Sequence, residues 1–189
     1  MLRKILIGLV ALLVVLVIVV ATRPDTFHIE RSITIAAPPA AAFAQVNDFH
    51  AWSAWSPWEK MDPNMKRTFA GSASGEGAQY AWVGNDEVGE GRMTIEKSQA
   101  PSLISIRLEF IKPFAATNTA TFTFAPVAED TKLTWGMDGK NDFMAKAAHL
   151  FMDIDAMVGK DFERGLTALK AVTESRAKAG AASANAPSR

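Results

Sequence analysis

The chain of 189 residues contains no cysteine, a single tyrosine and three histidines. Without cysteine there is no disulfide, no thiolate metal site and no thiol nucleophile. His28, His50 and His149 lie far apart in sequence, so a metal site is not expected. Excess charge of one sign is also missing, since twenty basic residues balance twenty acidic ones. No basic run is interleaved with aromatics, which argues against nucleic acid as a partner. No nucleophile elbow occurs. "GEGA" at 75–78 and "GEGR" at 89–92 look like fragments of a phosphate loop. Both lead into strands rather than opening a helix, so a nucleotide reading fails and no cofactor is expected.

What the chain does have is an unbroken apolar run, Ile5 to Ala21, behind "MLRK". As a helix it would be about 26 Å long, just enough for a bilayer core that takes about 20 residues and at least about 17. An uncleaved single-pass anchor over residues 1–22, meeting the membrane through residues 5–21, is the preferred reading. A cleaved signal peptide, with Val19 and Ala21 near the cut, is the alternative. Arg3 and Lys4 would stay inside under the positive-inside rule, with Arg23 and Arg31 opposing weakly. The body is then expected on the outer, periplasmic face. The tail, 176–189, is small, polar and proline-bearing, and is expected to be disordered. That leaves a body at 26–175.

The body opens with alternation: Phe27, Ile29, Ile33 and Ile35 against His28, Glu30, Ser32 and Thr34, with Arg31 a misfit on the apolar parity. This is a half-buried strand. Pro38-Pro39 then opens a short helix. Further alternating segments follow at 78–82, 92–96, 103–110, 117–124 and 132–137. They are split by turns and not by helices, so the sheet is antiparallel with one covered face. From about Asp142 to Glu174 the period becomes helical, through Ala147, Phe151, Ile154, Val158, Phe162, Leu169 and Val172. The expected fold is α+β: a curved antiparallel sheet wrapped on one long C-terminal helix. Space left between the two is the natural ligand site.

Four stretches carry a family resemblance: "IERSITIAAPPAAAFAQVNDF", "WSAWSPWEKMDPNMKRTFAG", "GEGAQYAWVGNDEVGEGRMTI" and "KNDFMAKAAHLFMDIDAMVGKDFERGLTALKAV". In order and spacing they resemble the SRPBCC superfamily, especially its polyketide cyclase/dehydrase-like branch. That branch is related to START lipid-transfer domains and the birch-pollen allergen. The resemblance implies a helix-grip fold with an internal cavity. It does not specify a function, because the superfamily holds cyclases, carriers, sensors and chaperone cofactors. The membrane segment departs from the soluble cyclases.

The inward strand set is rich in large, polarizable side chains: Tyr80, Trp82, Met93, Phe110, Phe122, Trp135 and Met137, with Phe151, Met152 and Met157 from the helix. Such a set reads as plain core or as the wall of a cavity for an irregular apolar ligand. Trp52, Trp55 and Trp58 are three of only five tryptophans. In the resembled fold they close an open end of the cavity, as a plug or a ligand gate, with their indole N–H groups toward water or ligand. Asp161 lies near the apolar stripe of the helix. It serves either as an ion-pair partner, with Arg31 the candidate, or as a polar anchor for a ligand head group. Gly165 on the same stripe permits either close helix–sheet contact or cavity volume. Glu59 and Asp62, in the tryptophan loop, read as solvated charges or caps in preference to acid–base groups.

The leading expectation is a membrane-tethered binding module for a hydrophobic small molecule or lipid, without catalysis. A cyclase or dehydratase on the same cavity is the first alternative. A protein-interaction or chaperone-like domain with a filled core is the second.

Overall fold

The apolar N-terminal run forms one helix, α1 (Leu2–Ala21), in the computed structural model, which describes residues 1–184. Of its side chains only Val20 is buried, so the helix carries its apolar surface on the outside. Four residues later the body begins with β1 (Thr26–Ile35), followed by α2 (Pro39–Asn47) and two 3₁₀ turns, Phe49–Ala54 and Pro57–Lys60. Then come six consecutive strands: β2 (Lys66–Gly71), β3 (Ala78–Val83), β4 (Glu90–Gln99), β5 (Leu103–Lys112), β6 (Ala116–Val127) and β7 (Asp130–Lys140). Two helices close the order, α3 (Phe143–Ala148) and α4 (Ile154–Ala184).

The strands form one antiparallel sheet in the order β1-β7-β6-β5-β4-β3-β2, with α4 against it. This is the α+β helix-grip fold that the alternation and the terminal helical period imply. The inward parity of the central strands is buried: Ile95 on β4, Ile104 and Ile106 on β5, Phe122 and Phe124 on β6, Leu133 and Trp135 on β7. α4 answers with Phe162, Leu166 and Leu169, all buried at helical spacing. Burial of each such side chain is worth roughly 1.5–3 kcal/mol. α2 covers the neighbouring part of the sheet, with Phe43 edge-on to Phe124 at 5.5 Å between centroids.

Two expectations need correction, and one strand was not anticipated. The helical period from Asp142 is not one helix. The chain leaves the helix after Ala148, and the Asp153 side chain accepts from Ala156 N at 2.9 Å, an N-cap that starts α4 afresh. α4 then continues to Ala184, so the segment from Arg176 expected as disordered tail is helical as far as Ala184. Residues 185–189 of that segment lie outside the described residues. Finally, β2 had no signature. It is an edge strand exposed along its whole length, so neither parity had to be apolar.

Arg31 is not an orphan, but its partner is not Asp161. Its guanidinium reaches from β1 to α4, with Nε 3.1 Å from Glu163 Oε1 and Nη2 3.0 Å from Asp155 Oδ2. It lies directly on Gly159, where an added Cβ would stand 2.0 Å from Nη2. Asp161 pairs instead with Arg164, one turn along the same helix.

Candidate functional site

Under the first turns of α4 the helix and sheet do not close, and a cavity of about 210 Å³ remains. Its walls come from the inward parity of five strands. β3 supplies Tyr80 and Trp82, β4 Met93, β5 Leu108 and Phe110, β6 Ala120, and β7 Trp135 and Met137. α4 contributes Val158, Asp161 and Phe162, and the tryptophan loop Trp52, Ser56, Trp58, Glu59 and Met65. Glu87 and Val88 of the β3–β4 turn complete it. The surface is overwhelmingly aromatic, thioether and aliphatic. Among the described residues no group of three His, Cys, Asp or Glu could hold a metal.

Trp135 is the pivot. Its ring stacks on Phe162 at 4.2 Å, nearly parallel at 6°, and on Phe122 at 4.8 Å on its other side. Trp58 meets the same indole edge-on at 5.7 Å. This column pins α4 to the sheet at one end of the cavity. It also accounts for Gly165, where an added Cβ would stand 2.8 Å from the Trp135 ring and 3.1 Å from Pro57. Close helix–sheet contact, not cavity volume, is what this glycine provides. The Trp135 Nε1–H is buried and has no protein acceptor. Such a donor costs free energy until an acceptor meets it.

The tryptophan segment divides. Trp55 and Trp52 are buried, and their indoles donate to the last carbonyls of α2: Trp55 Nε1 to Gln45 O at 3.1 Å, Trp52 Nε1 to Val46 O at 3.0 Å. Their N–H groups thus cap a helix end and face neither water nor ligand, correcting the expected orientation. Trp52 still presents a ring face to the cavity, whereas Trp55 lies behind it. Trp58, half-buried, forms part of the wall.

The loop carboxylates are not solvated charges. Glu59, with its side chain 7% exposed, accepts from the Tyr80 hydroxyl at 2.6 Å and from Arg67 Nε at 2.7 Å. Burial, and then the bond to this carboxylate, push the Tyr80 phenol well above its ordinary value, so it stays protonated as a fixed donor. Asp62 accepts from Asn64 N at 2.8 Å and Asn85 N at 2.7 Å, tying the tryptophan loop to the β3–β4 turn.

Of the other residues expected at the site, Phe122 is fully buried beneath Trp135, one layer behind the wall. Phe151 is 81% exposed and Met157 half exposed, so neither reaches the cavity. The break before Asp153 turns Phe151 out of the stripe. Met157 sits roughly 150° around α4 from the buried row of Phe162, Leu166 and Leu169, at about 100° per residue. Leu108, Ala120 and Phe162 were on the inward parities or the helical stripe but were not singled out. Glu87 and Val88 lie in a turn, where no periodicity marks them.

A curved sheet gripping a helix over an apolar chamber defines a class of hydrophobic-ligand folds. The chain belongs to the polyketide cyclase/dehydrase and lipid transport family, whose model matches residues 26–174. An aromatase/cyclase from a Streptomyces species is 17% identical, with TM-score 0.58, over 80% of this chain and 95% of that one. An HSP90 activator from Plasmodium falciparum is 14% identical, with TM-score 0.53, over 79% and 96%. A protein from Chromobacterium violaceum is 16% identical, with TM-score 0.55, over 80% and 99%. At these identities the likeness is one of fold. No curated protein matches the sequence.

Proposed function

We propose that the protein is a membrane-tethered module that binds a small hydrophobic molecule, or a segment of a lipid, in the cavity under α4. The observation that carries this reading is the chamber of about 210 Å³ walled by Trp, Phe, Met and Leu. A dry apolar cavity of about 150 Å³ accepts benzene, so this one suits a molecule of one or two rings or a short acyl segment. The family supports hydrophobic ligands in general. α1 supplies the tether: its 20 residues are long and apolar enough to cross a membrane, a property that a signal sequence shares. Arg3 and Lys4 support an outward-facing body.

Detergent extraction of the full chain followed by native mass spectrometry tests the binding. A copurifying small molecule is expected, lost in Val158→Trp, which fills the chamber from α4. Each protein appearing only at the mass of its own bare polypeptide would refute it. Acid–base turnover in the same cavity is the second reading, favoured by the Glu59–Tyr80 bond of 2.6 Å in the wall. Under it, Tyr80→Phe would copurify with a chemically different, unprocessed ligand. Under simple binding the ligand is the same.

A further inference from the structure

The strand register shows which end of the grip faces α1. Thr26, the first residue of β1, pairs with Lys140, the last of β7. β6 begins at that same end, since Thr119 pairs with Asp138, and Phe110 pairs with Ala116 across the β5–β6 turn. Glu90 pairs with Lys112 and Val83 with Glu90, so the β3–β4 turn lies there too. α3 follows β7 directly and packs on α1. Lys146 of α3 is paired with Asp25, and Asn141 Nδ2 donates to Pro24 O at 3.2 Å. Only residues 22–25 separate α1 from β1, a span of at most about 14 Å.

This end carries large apolar side chains in the open. Phe114 of the β5–β6 turn is 82% exposed and Met144 of α3 is 73% exposed. Ile111, Phe143, Phe151 and Met152 are exposed beside them. Exposed apolar groups gathered at one end of a fold mark an interaction site, and α1, itself apolar and exposed, packs on α3 at this end. Two of the cations at this end are paired locally, Lys112 with Glu90 and Lys146 with Asp25.

We infer that the β5–β6 turn, α3 and the α3–α4 connection seat the body on the lipid bilayer, with Phe114, Met144 and Phe151 inserted among the acyl chains. This rests on the proposed anchoring by α1. The contact is hydrophobic rather than electrostatic, because the side chains that make it, Phe114, Met144 and Phe151, are apolar and exposed. Val88, Phe110 and Val158 wall the cavity at this same end, so the seated end is also the end through which a membrane-dissolved ligand reaches the chamber. An amphipathic surface lying at the headgroup boundary is a known mode of membrane contact.

The cysteine-free chain allows single nitroxide labels in the full-length protein. Variants Val15→Cys, Phe114→Cys, Phe151→Cys and Glu129→Cys are reconstituted in zwitterionic vesicles. Accessibility to lipid-soluble oxygen and to a water-soluble nickel chelate is then measured at each. Glu129 lies in the β6–β7 turn at the opposite end, roughly 35 Å away along β6 at about 3.3 Å per residue. The expected result is lipid exposure at 15, 114 and 151 and aqueous exposure at 129, unchanged by anionic lipid. Lipid exposure at 15 with nickel access at 114 and 151 equal to that at 129 overturns the seating and leaves the anchor intact. Nickel access at 15 refutes the anchor, and the seating falls with it.

Discussion

The two halves of the helix–sheet interface are built from the same alternation yet end differently. Beyond Phe162, towards the middle of α4, Leu166 and Leu169 share one buried cluster with Ile35, Phe124, Leu133 and the α2 residues Ala42, Phe43 and Val46. Aliphatic and aromatic side chains there form one buried cluster, as a close-packed interior requires. Under the first half, α4 offers Val158 and Asp161, and the sheet answers with Trp82, Met93, Phe110 and Met137. Bulky strand residues do not fill the space, because the helix gives them a short side chain and a carboxylate to meet. The chamber is thus a property of α4's sequence more than of the sheet's. The Phe162–Trp135–Phe122 column is the wall between the halves.

That contrast can be broken most forcefully in the packed half. Leu169→Ala should cost about 2–5 kcal/mol, read by urea unfolding of the full chain in micelles. Leu108→Ala, in the open half, should cost clearly less, because its space already borders a void. Equal losses would mean that the halves do not differ. At the dividing wall, Gly165→Ala should destabilise by about 1–3 kcal/mol through overpacking, outweighing the helix-propensity gain of up to about 1 kcal/mol. A gain in stability would show that Trp135 and Pro57 yield easily.

The ionic surface should respond to pH in both directions. The hydrogen bond from Arg31 holds Asp155 below its usual carboxylate value, that from Arg92 holds Glu109, and that from Lys170 holds Glu174. Their stabilisation is present above the unfolded values near 4 and is lost as pH falls below about 4. Arg31→Met should flatten part of that acid limb in unfolding midpoints measured across pH. The smallest effect is expected from His28, whose pKa is raised chiefly by its bond to Asp138. Its contribution is complete below about 6.5 and fades as pH rises past that. His28→Ala should remove a slight decline above pH 6.5, and an unchanged decline would assign it elsewhere.

Much of this was legible in the residues. Alternation located β1 and β3 to β7, and the inward parity contained most of the cavity wall, from Tyr80 to Met137. What periodicity could not show was where apolar cover stops. The stripe through Phe151 and Ile154 ignores Asp153, whose capping bond restarts the helix and turns Phe151 outward. In the sequence Glu59 reads as a solvated charge or a cap, because Arg67 and Tyr80, its partners, come from strands brought beside it only by the fold. The same applies to Arg31, which chose Asp155 and Glu163 over Asp161. Trp52 and Trp55 were recognised as a cluster, but their N–H acceptors are backbone carbonyls of α2, which leave no trace in side-chain pattern.

Methionine methyls offer the most direct test of the chamber. The chain has eight methionines; Met65, Met93 and Met137 line the cavity, while Met144, Met152 and Met157 are exposed. With ¹³C-methyl-methionine in the full chain, titration with naphthalene should shift Met93 and Met137 saturably, at one molecule per protein, and Val158→Trp should abolish those shifts. Unmoved Met93 and Met137 signals, or shifts that persist in Val158→Trp, would contradict a ligand chamber under α4.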